Sequence, residues 1–80
     1  MDSDKLKVAF GKVLFNLRSE MGVSQQEVAD HCDIESAYIS RLERGLQLPS
    51  LIIVFKIASY FQLSPSELIE RLVTQTRKTR

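Results

Sequence analysis

Tryptophan is absent from this sequence, cysteine occurs once, and proline and glycine occur only two and three times in 80 residues. A single cysteine excludes an internal disulfide, and beside a single histidine it argues against a metal cluster. The scarcity of proline and glycine, together with 44% hydrophobic residues, argues against a disordered or fibrous chain. We therefore predict one globular domain with no metal ion and no cofactor.

Long hydrophobic runs are also missing. No stretch of 18 apolar residues occurs, so we predict no membrane-spanning segment. The beginning of the chain, MDSDKLK, carries two acids and no apolar segment before a cleavage site, which is not typical of a signal peptide. The expected location is the cytoplasm, and no membrane is expected among the partners.

Signatures of catalysis are missing as well. The sequence has no Ser–His–Asp spacing, no glycine-rich phosphate loop and no metal motif. A chain of 80 residues also leaves little room for an elaborate active site beside a separate substrate domain. We predict that the protein is not an enzyme and that it has no small-molecule ligand.

The net charge is only +1, but the charges are unevenly distributed along the chain. Residues 71–80 carry four basic residues and no acid, whereas residues 1–70 carry seven basic and ten acidic residues. A function in nucleic-acid binding would therefore depend on where individual basic side chains lie, because the overall charge does not favour it.

Apolar spacing predicts an all-α fold. In the first segment apolar residues recur three and four positions apart, which places them on one helical stripe. They are Leu6, Phe10, Val13, Leu14, Leu17 and Met21. No segment alternates with the period of two that is typical of strands. The same reasoning along the chain predicts five helices, over residues 5–21, 25–32, 36–43, 51–61 and 65–73.

Local start and stop signals support these boundaries. The third residue after Ser24, and again after Ser64, is a glutamate, which is the spacing of a capping box. Glycine commonly follows the last turn of a helix, and aspartate tolerates the left-handed conformation better than most residues. The predicted helix stops are Gly22, Asp33 and Gly45.

The second and third predicted helices have the features of a helix-turn-helix. Two short helices cross closely only if a small residue lies at their contact, and Ala29 is such a residue. Asp33, four positions later, lies at the turn. Apolar residues at 34, 39 and 42 would anchor the pair on a core.

At these residues the sequence resembles the Cro and phage-repressor family, also called the XRE-type helix-turn-helix. The resemblance covers about residues 8–70, and its matching segments are 24–29, 38–45, 49–51, 56–58 and 63–68. It implies a compact five-helix, lambda-repressor-like DNA-binding domain over residues 1–74, in which the second and third helices form the helix-turn-helix. Residues 75–80 are expected to be a basic, frayed tail.

The resemblance also implies contacts with double-stranded DNA, with the third helix in the major groove. The implied base-reading residues are Gln25, Ser36, Ala37, Tyr38 and Arg41. The implied phosphate contacts are Ser24, Gln26, Ser40, Arg44 and Ser50. Arg41 is the best candidate for a bidentate contact with guanine, and the alternative is that it binds a phosphate.

An ion pair is implied between Arg18 and Glu43, which match a buried structural salt bridge of the family. The sequence also departs from the family pattern. Asp33 replaces the usual turn glycine, and Glu35 replaces the usual serine or threonine before the third helix. These acids, with Asp30, add negative charge beside the expected phosphate surface. Cys32 replaces a core leucine and is expected to be a buried, inert thiol.

The fourth helix is apolar on nearly all sides, which indicates more burial than one small core provides. The predicted core stripe is Leu51, Val54, Phe55, Ala58 and Phe61. A second face, with residues of the fifth helix, predicts a homodimer interface of Ile53, Ile57, Tyr60, Leu68, Ile69, Leu72 and Val73. The alternative is that this second face fills the monomer core or lies under the N-terminal segment.

The resemblance and these patterns imply two alternative functions. The first is a sequence-specific DNA-binding transcription regulator that acts as a homodimer on a pseudo-palindromic operator. Controller proteins of restriction–modification systems and small phage or plasmid repressors share this size and pattern. The second is a protein-interaction module, or an antitoxin-type partner, on the same scaffold, because a fold does not determine a function.

Overall fold

The computed structural model describes residues 2–78 and contains, within them, five α-helices and no strand. The helices are α1 (Ser3–Met21), α2 (Gln25–Cys32), α3 (Ser36–Glu43), α4 (Leu51–Tyr60) and α5 (Pro65–Lys78). α1 packs against α3 and α5, α2 packs against α3 and α4, and α4 packs against α5. The prediction of an all-α, five-helix domain is therefore confirmed.

Side-chain caps fix the starts of α2 and α5 where the sequence predicted them. The Ser24 side chain accepts the Glu27 backbone N–H at 3.0 Å, and the Glu27 carboxylate accepts the Ser24 N–H at 3.3 Å. Ser64 and Glu67 form the same reciprocal pair, at 3.1 and 2.8 Å. The hydrogen bonds with Ser64 lower the pKa of Glu67. Both caps satisfy amides that a helix start would leave without a partner.

Helix ends were predicted less well than helix starts. Gly22 ends α1 at φ 70°, as predicted, and its N–H donates to the carbonyl of Arg18 at 2.8 Å. α1 begins two residues earlier than predicted, and α4 ends one residue earlier, at Tyr60. α5 does not stop near residue 73 but continues to Lys78, with Thr76 buried, so residues 75–78 are helical rather than frayed. The remainder of the predicted tail, residues 79–80, lies outside the described residues.

The core contains residues from all five helices. Four residues of the predicted α1 stripe are buried, while Leu6 is partly covered and Met21 is exposed. Cys32 is fully buried, as predicted, and desolvation raises the pKa of its thiol. The buried cluster consists of Phe10, Val13, Leu14, Leu17, Val28, Ala29, Cys32, Ile39, Leu42, Ile53, Val54, Ile57, Ala58 and Leu68.

The predicted faces of α4 are wrong in part. Ile53 and Ile57, predicted at a dimer interface, are 6% and 0% exposed, and Leu68 of α5 is 1% exposed. They fill the core of the monomer, because this side of α4 faces α2 and α5. Two residues predicted in the core, Leu51 and Phe55, are instead 73% and 53% exposed.

Gly11 permits a close approach between α1 and the end of α3. It is buried in the middle of α1, and a Cβ atom built there would lie 2.6 Å from the backbone carbonyl oxygens of both Leu42 and Glu43. Real Cβ atoms essentially never come within 3.0 Å of such atoms. α1 and the end of α3 therefore meet backbone to backbone, and only glycine fits at this position.

Replacing Gly11 with alanine should lower the stability of the fold. Helix propensity favours alanine by about 1 kcal/mol, but overpacking costs about 1–3 kcal/mol and occasionally more. Because both opposing atoms belong to the backbone of α3, we expect the clash to dominate and urea unfolding to give a lower free energy of unfolding for Gly11→Ala. The exposed neighbour Lys12→Ala serves as the control and should change little. Equal stability of both variants would contradict the close contact.

None of the helices within residues 2–78 is long and apolar enough to cross a membrane. Within the same residues, no three His, Cys, Asp or Glu side chains are grouped so that they could hold a metal ion.

Candidate nucleic-acid interface

The turn between α2 and α3 has a compact backbone geometry. Asp33 adopts the left-handed conformation, at φ 57° and ψ 48°, which the family pattern usually assigns to glycine. The N–H of Ile34 donates to the carbonyl of Ala29 at 3.0 Å, which closes the end of α2. Lys56 of α4 donates from Nζ to the carbonyl of Cys32 at 3.2 Å, and a cation is favourable at this negative end of the helix dipole. The turn is thus supported from both α2 and α4.

Arg18 of α1 and Glu43 at the end of α3 form a bidentate ion pair. Nε of Arg18 bonds Oε2 of Glu43, and Nη2 bonds Oε1 at 2.8 Å. The side chains are only 15% and 7% exposed, so water competes little for these donors and acceptors. Hydrogen bonding to Glu43 raises the pKa of Arg18, which keeps the guanidinium charged. Nη1 of Arg18 also donates to the carbonyl of Val23 at 2.9 Å, just before α2.

Gln25, in the first turn of α2, is attached to this ion pair. Its amide nitrogen Nε2 donates to Oε1 of Glu43 at 3.0 Å. The Glu43 carboxylate, which belongs to α3, therefore accepts hydrogen bonds from both α1 and α2. The arrangement fixes the orientation of the Gln25 amide, and one amide N–H and the carbonyl oxygen remain for another ligand.

Arg41 lies on α3 with its guanidinium held at two points. Nε donates to Oε1 of Gln47 at 2.8 Å, and Cζ lies 5.7 Å from the centroid of the Tyr38 ring, within the range of a cation–π contact. Gln47 belongs to the loop between α3 and α4, outside the helix-turn-helix. The sequence-based reasoning did not identify Gln47, because no helical spacing links a loop residue to Arg41.

The other predicted base-reading residues lie in the first turn of α3. Ala37 is exposed, whereas Ser36 and Tyr38 are half-buried. Glu35, the N-cap of α3, is exposed and forms no side-chain capping bond, so its carboxylate faces solvent. Ser36, Ala37 and Tyr38 thus share the N-terminal end of a helix with an acid that the family pattern lacks.

The predicted phosphate-contacting residues differ in the hydrogen bonds that they already form within the protein. The hydroxyls of Ser24 and Ser50 accept backbone N–H groups at the starts of α2 and α4, at 3.0 and 3.3 Å. Nε2 of Gln26 donates to Asp30 at 2.7 Å. Arg44 is exposed, and its Nε lies 3.4 Å from the carbonyl of Ser40. Arg44 is the one residue of this set that carries a positive charge, and it is exposed.

A shallow groove beside Gln25 adds residues that the sequence-based reasoning missed. Lys12 and Asn16 of α1 line it together with Arg44 at the end of α3. Lys12 and Arg44 are exposed, so two positive charges border the groove next to the Gln25 amide. Lys12 was missed because Gln25 and Arg44, which border the groove with it, lie more than ten positions away along the chain.

Exposed apolar side chains form two rows on the packed pair α4 and α5. On α4 they are Leu51, Ile52 and Phe55, which are 73%, 63% and 53% exposed. On α5 they are Ile69 and Val73, also exposed. The predicted interface residues Tyr60 and Leu72 are partly buried against the core. The apolar surface is therefore real, but on α4 it lies on the face opposite to the predicted one.

Removing one partner of the buried ion pair should destabilise the fold strongly. Arg18→Met leaves the Glu43 carboxylate without its guanidinium partner in a largely dry site, and such a loss costs about 3–5 kcal/mol. The matched control is Arg71→Met, because Arg71 and Glu20 form an exposed pair at 3.5 Å, where a change of about 1 kcal/mol or less is expected. Urea unfolding measures both. Similar costs for the two variants would contradict the structural role of the buried pair.

Comparison with known proteins places these features in context. Residues 14–68 match a helix-turn-helix family. The control protein C.BamHI of Bacillus amyloliquefaciens is 30% identical over 69 residues, which cover 85% of each chain. The uncharacterised HTH-type transcriptional regulator y4dJ of Sinorhizobium fredii is 35% identical over 69 residues, or 86% of each chain. The crystal structure of the restriction-modification controller protein C.AhdI from Aeromonas hydrophila superimposes with a TM-score of 0.73, at 34% identity, over 78% of this chain and 94% of that one.

Proposed function

The chain belongs to the helix-turn-helix family, and on that premise we propose that it is a DNA-binding transcription regulator that acts as a homodimer. Each α3 enters a major groove, and two copies address half-sites about 34 Å apart on a pseudo-palindromic operator. Occupying such a site near a promoter changes access of RNA polymerase by position alone.

The single observation that carries this proposal is the state of Arg41. It lies on α3, and its guanidinium is oriented by Gln47 and Tyr38 through Nε and the ring face. The two Nη atoms are the part of an arginine that can donate to O6 and N7 of guanine together. A purely structural arginine would direct this edge into the protein, as Arg18 does with Glu43.

Backbone contacts with DNA fit the surroundings of α3. Lys12 and Arg44 border the same groove beside Gln25, and two cations there suit contacts with a phosphate backbone. The amides at the starts of α2 and α4 add donors at Ser24 and Ser50, since helix N-termini attract anions. We assign Lys12, with Gln26, Ser40 and Arg44, to phosphate contacts.

The relatives support one proposal for the biological role. C.BamHI is a control protein and C.AhdI is a restriction-modification controller protein, and this chain matches 85% and 94% of their lengths. We therefore favour a controller-type regulator whose effect depends on its own concentration. A small phage or plasmid repressor would use the same domain in the same way.

The homodimer is assigned to the exposed apolar rows of α4 and α5, which are Leu51, Ile52, Phe55, Ile69 and Val73. These large apolar side chains are 42–73% exposed, which is unfavourable in water, and pairing two copies would cover them. This assignment replaces Ile53, Ile57 and Leu68, which the monomer core already buries.

Selection of duplexes from a random DNA pool tests the function directly. Purified protein is incubated with the pool at two salt concentrations, and the bound DNA is sequenced. We expect a two-fold-symmetric consensus whose recovery falls as salt rises, because phosphate contacts release counterions. No enrichment by folded protein at low salt would refute the proposal.

A protein-interaction module is the second candidate function, and the exposed acids favour it. Asp33 and Glu35 face solvent beside α3, and the amide of the exposed Gln26 donates to Asp30. These charges oppose binding to phosphates. A folded protein that fails to enrich any DNA would support this function over the first.

Replacing Arg41 with alanine should relax the preference at one base pair of each half-site. A lost bidentate contact costs about 1–3 kcal/mol on the preferred base and little on the others. Arg44→Ala is the matched control, because a lost phosphate contact weakens binding to all sequences alike and reduces the salt dependence. Fluorescence anisotropy on the consensus and on single-base variants measures both. Uniform weakening by Arg41→Ala would make Arg41 a phosphate ligand.

Two neighbouring isoleucines separate dimerisation from folding. Ile52 is 63% exposed, so Ile52→Asp should leave a folded monomer in sedimentation at concentrations where the unmodified protein is a dimer. Ile53 is 6% exposed, so Ile53→Asp should lose the helical fold itself, because a buried unpaired carboxylate is very unfavourable. Persistent dimers of Ile52→Asp would move the interface elsewhere.

A further inference from the structure

We propose that Gln47 is a specificity-determining positioning residue. It holds the Arg41 guanidinium in the orientation in which the two Nη atoms together face guanine, which is end-on recognition. The inference rests on the proposed function and deepens it, because it assigns part of the base preference to a loop residue outside the recognition helix. Gln47 acts through Arg41 and not by touching DNA itself.

The first support is the division of the Arg41 donors. A guanidinium has five N–H groups, one on Nε and four on the two Nη atoms. Gln47 takes the Nε donor at 2.8 Å. Within residues 2–78 this is the one hydrogen bond found for the guanidinium, and it leaves the Nη edge for a ligand. Because Gln47 occupies Nε, the edge formed by Nε and one Nη is not available to a base. A bidentate contact must then use the two Nη atoms together, in the end-on geometry.

The second support is the ring of Tyr38. Tyr38 precedes Arg41 by three positions on α3, so both side chains lie on one face of the helix. The guanidinium carbon lies 5.7 Å from the ring centroid. The ring restrains the position of the guanidinium, while the Gln47 hydrogen bond restrains its rotation. Together they remove much of the freedom that a long side chain would otherwise lose on binding.

The third support is the backbone that carries Gln47. Gly45 has φ 72°, and its N–H donates to the carbonyl of Leu42 at 3.1 Å. The next N–H, of Leu46, donates to the carbonyl of Arg41 itself at 3.0 Å. The loop therefore turns back over the end of α3. Gln47 is held near Arg41 both by the backbone hydrogen bond of Leu46 and by its own side-chain hydrogen bond.

Two substitutions of Gln47 isolate the hydrogen bond. Gln47→Met keeps the length of the side chain and removes the acceptor, whereas Gln47→Glu restores an acceptor oxygen for Nε. We expect Gln47→Met to reduce the ratio of affinities for the consensus and for the operator changed at the Arg41 base pair by about three- to tenfold. Gln47→Glu should regain most of that ratio, and both should keep the thermal midpoint of the unmodified protein.

A double-mutant cycle with Arg41→Ala decides the mechanism. If Gln47 acts through Arg41, Gln47→Met changes nothing further once Arg41 is alanine. An equal loss in both backgrounds would show that Gln47 binds DNA itself and would overturn the proposal, as would an unchanged affinity ratio in Gln47→Met. The unmodified protein is measured first. If it has no preferred sequence, the proposed function fails, and the role of Gln47 fails with it; if it has one and the cycle shows no coupling, only the role of Gln47 fails.

Discussion

The junction between α1 and the end of α3 is the constraint on which the rest of the structure depends. It combines a backbone contact at Gly11, where no side chain fits, with the largely buried Arg18–Glu43 ion pair. The glycine brings the helices close enough for a bidentate contact, and the contact offsets the desolvation of two charges that a looser site would leave unpaired.

The same carboxylate organises the candidate interface. Glu43 receives Arg18 from α1 and Gln25 from α2, so three helices share two oxygen atoms. A rigid support of this kind is what a recognition surface needs, since base edges and phosphates must be met within fractions of an ångström. The acids near the turn, Asp33 and Glu35, have no comparable internal role and remain the feature that least suits a DNA-binding surface.

The sequence allowed accurate prediction wherever one local rule determined the outcome. Ser24 and Ser64 begin their helices because a hydroxyl and a glutamate three residues later satisfy the same amides, whatever surrounds them. α4 could not be oriented in this way. With apolar residues on nearly every side, its period does not indicate which face is covered, and Ile53 rather than Leu51 became core because of where α2 and α5 pack. Gln47 is a loop residue, and its contact with Arg41 depends on a backbone turn that no periodic pattern encodes.

The distance along the chain between Arg18 and Glu43 has a consequence for the order of folding. Their contact spans 25 positions and encloses the whole of α2 in a loop. Closing a flexible loop of that length costs about 3 kcal/mol of chain entropy, beyond a constant term. The helix-turn-helix therefore cannot gain its final support from its own residues. α1 precedes it in the chain and can form this contact only once the end of α3 has been synthesised. A fragment containing only α2 and α3 would have α3 without the Arg18 contact that positions its end.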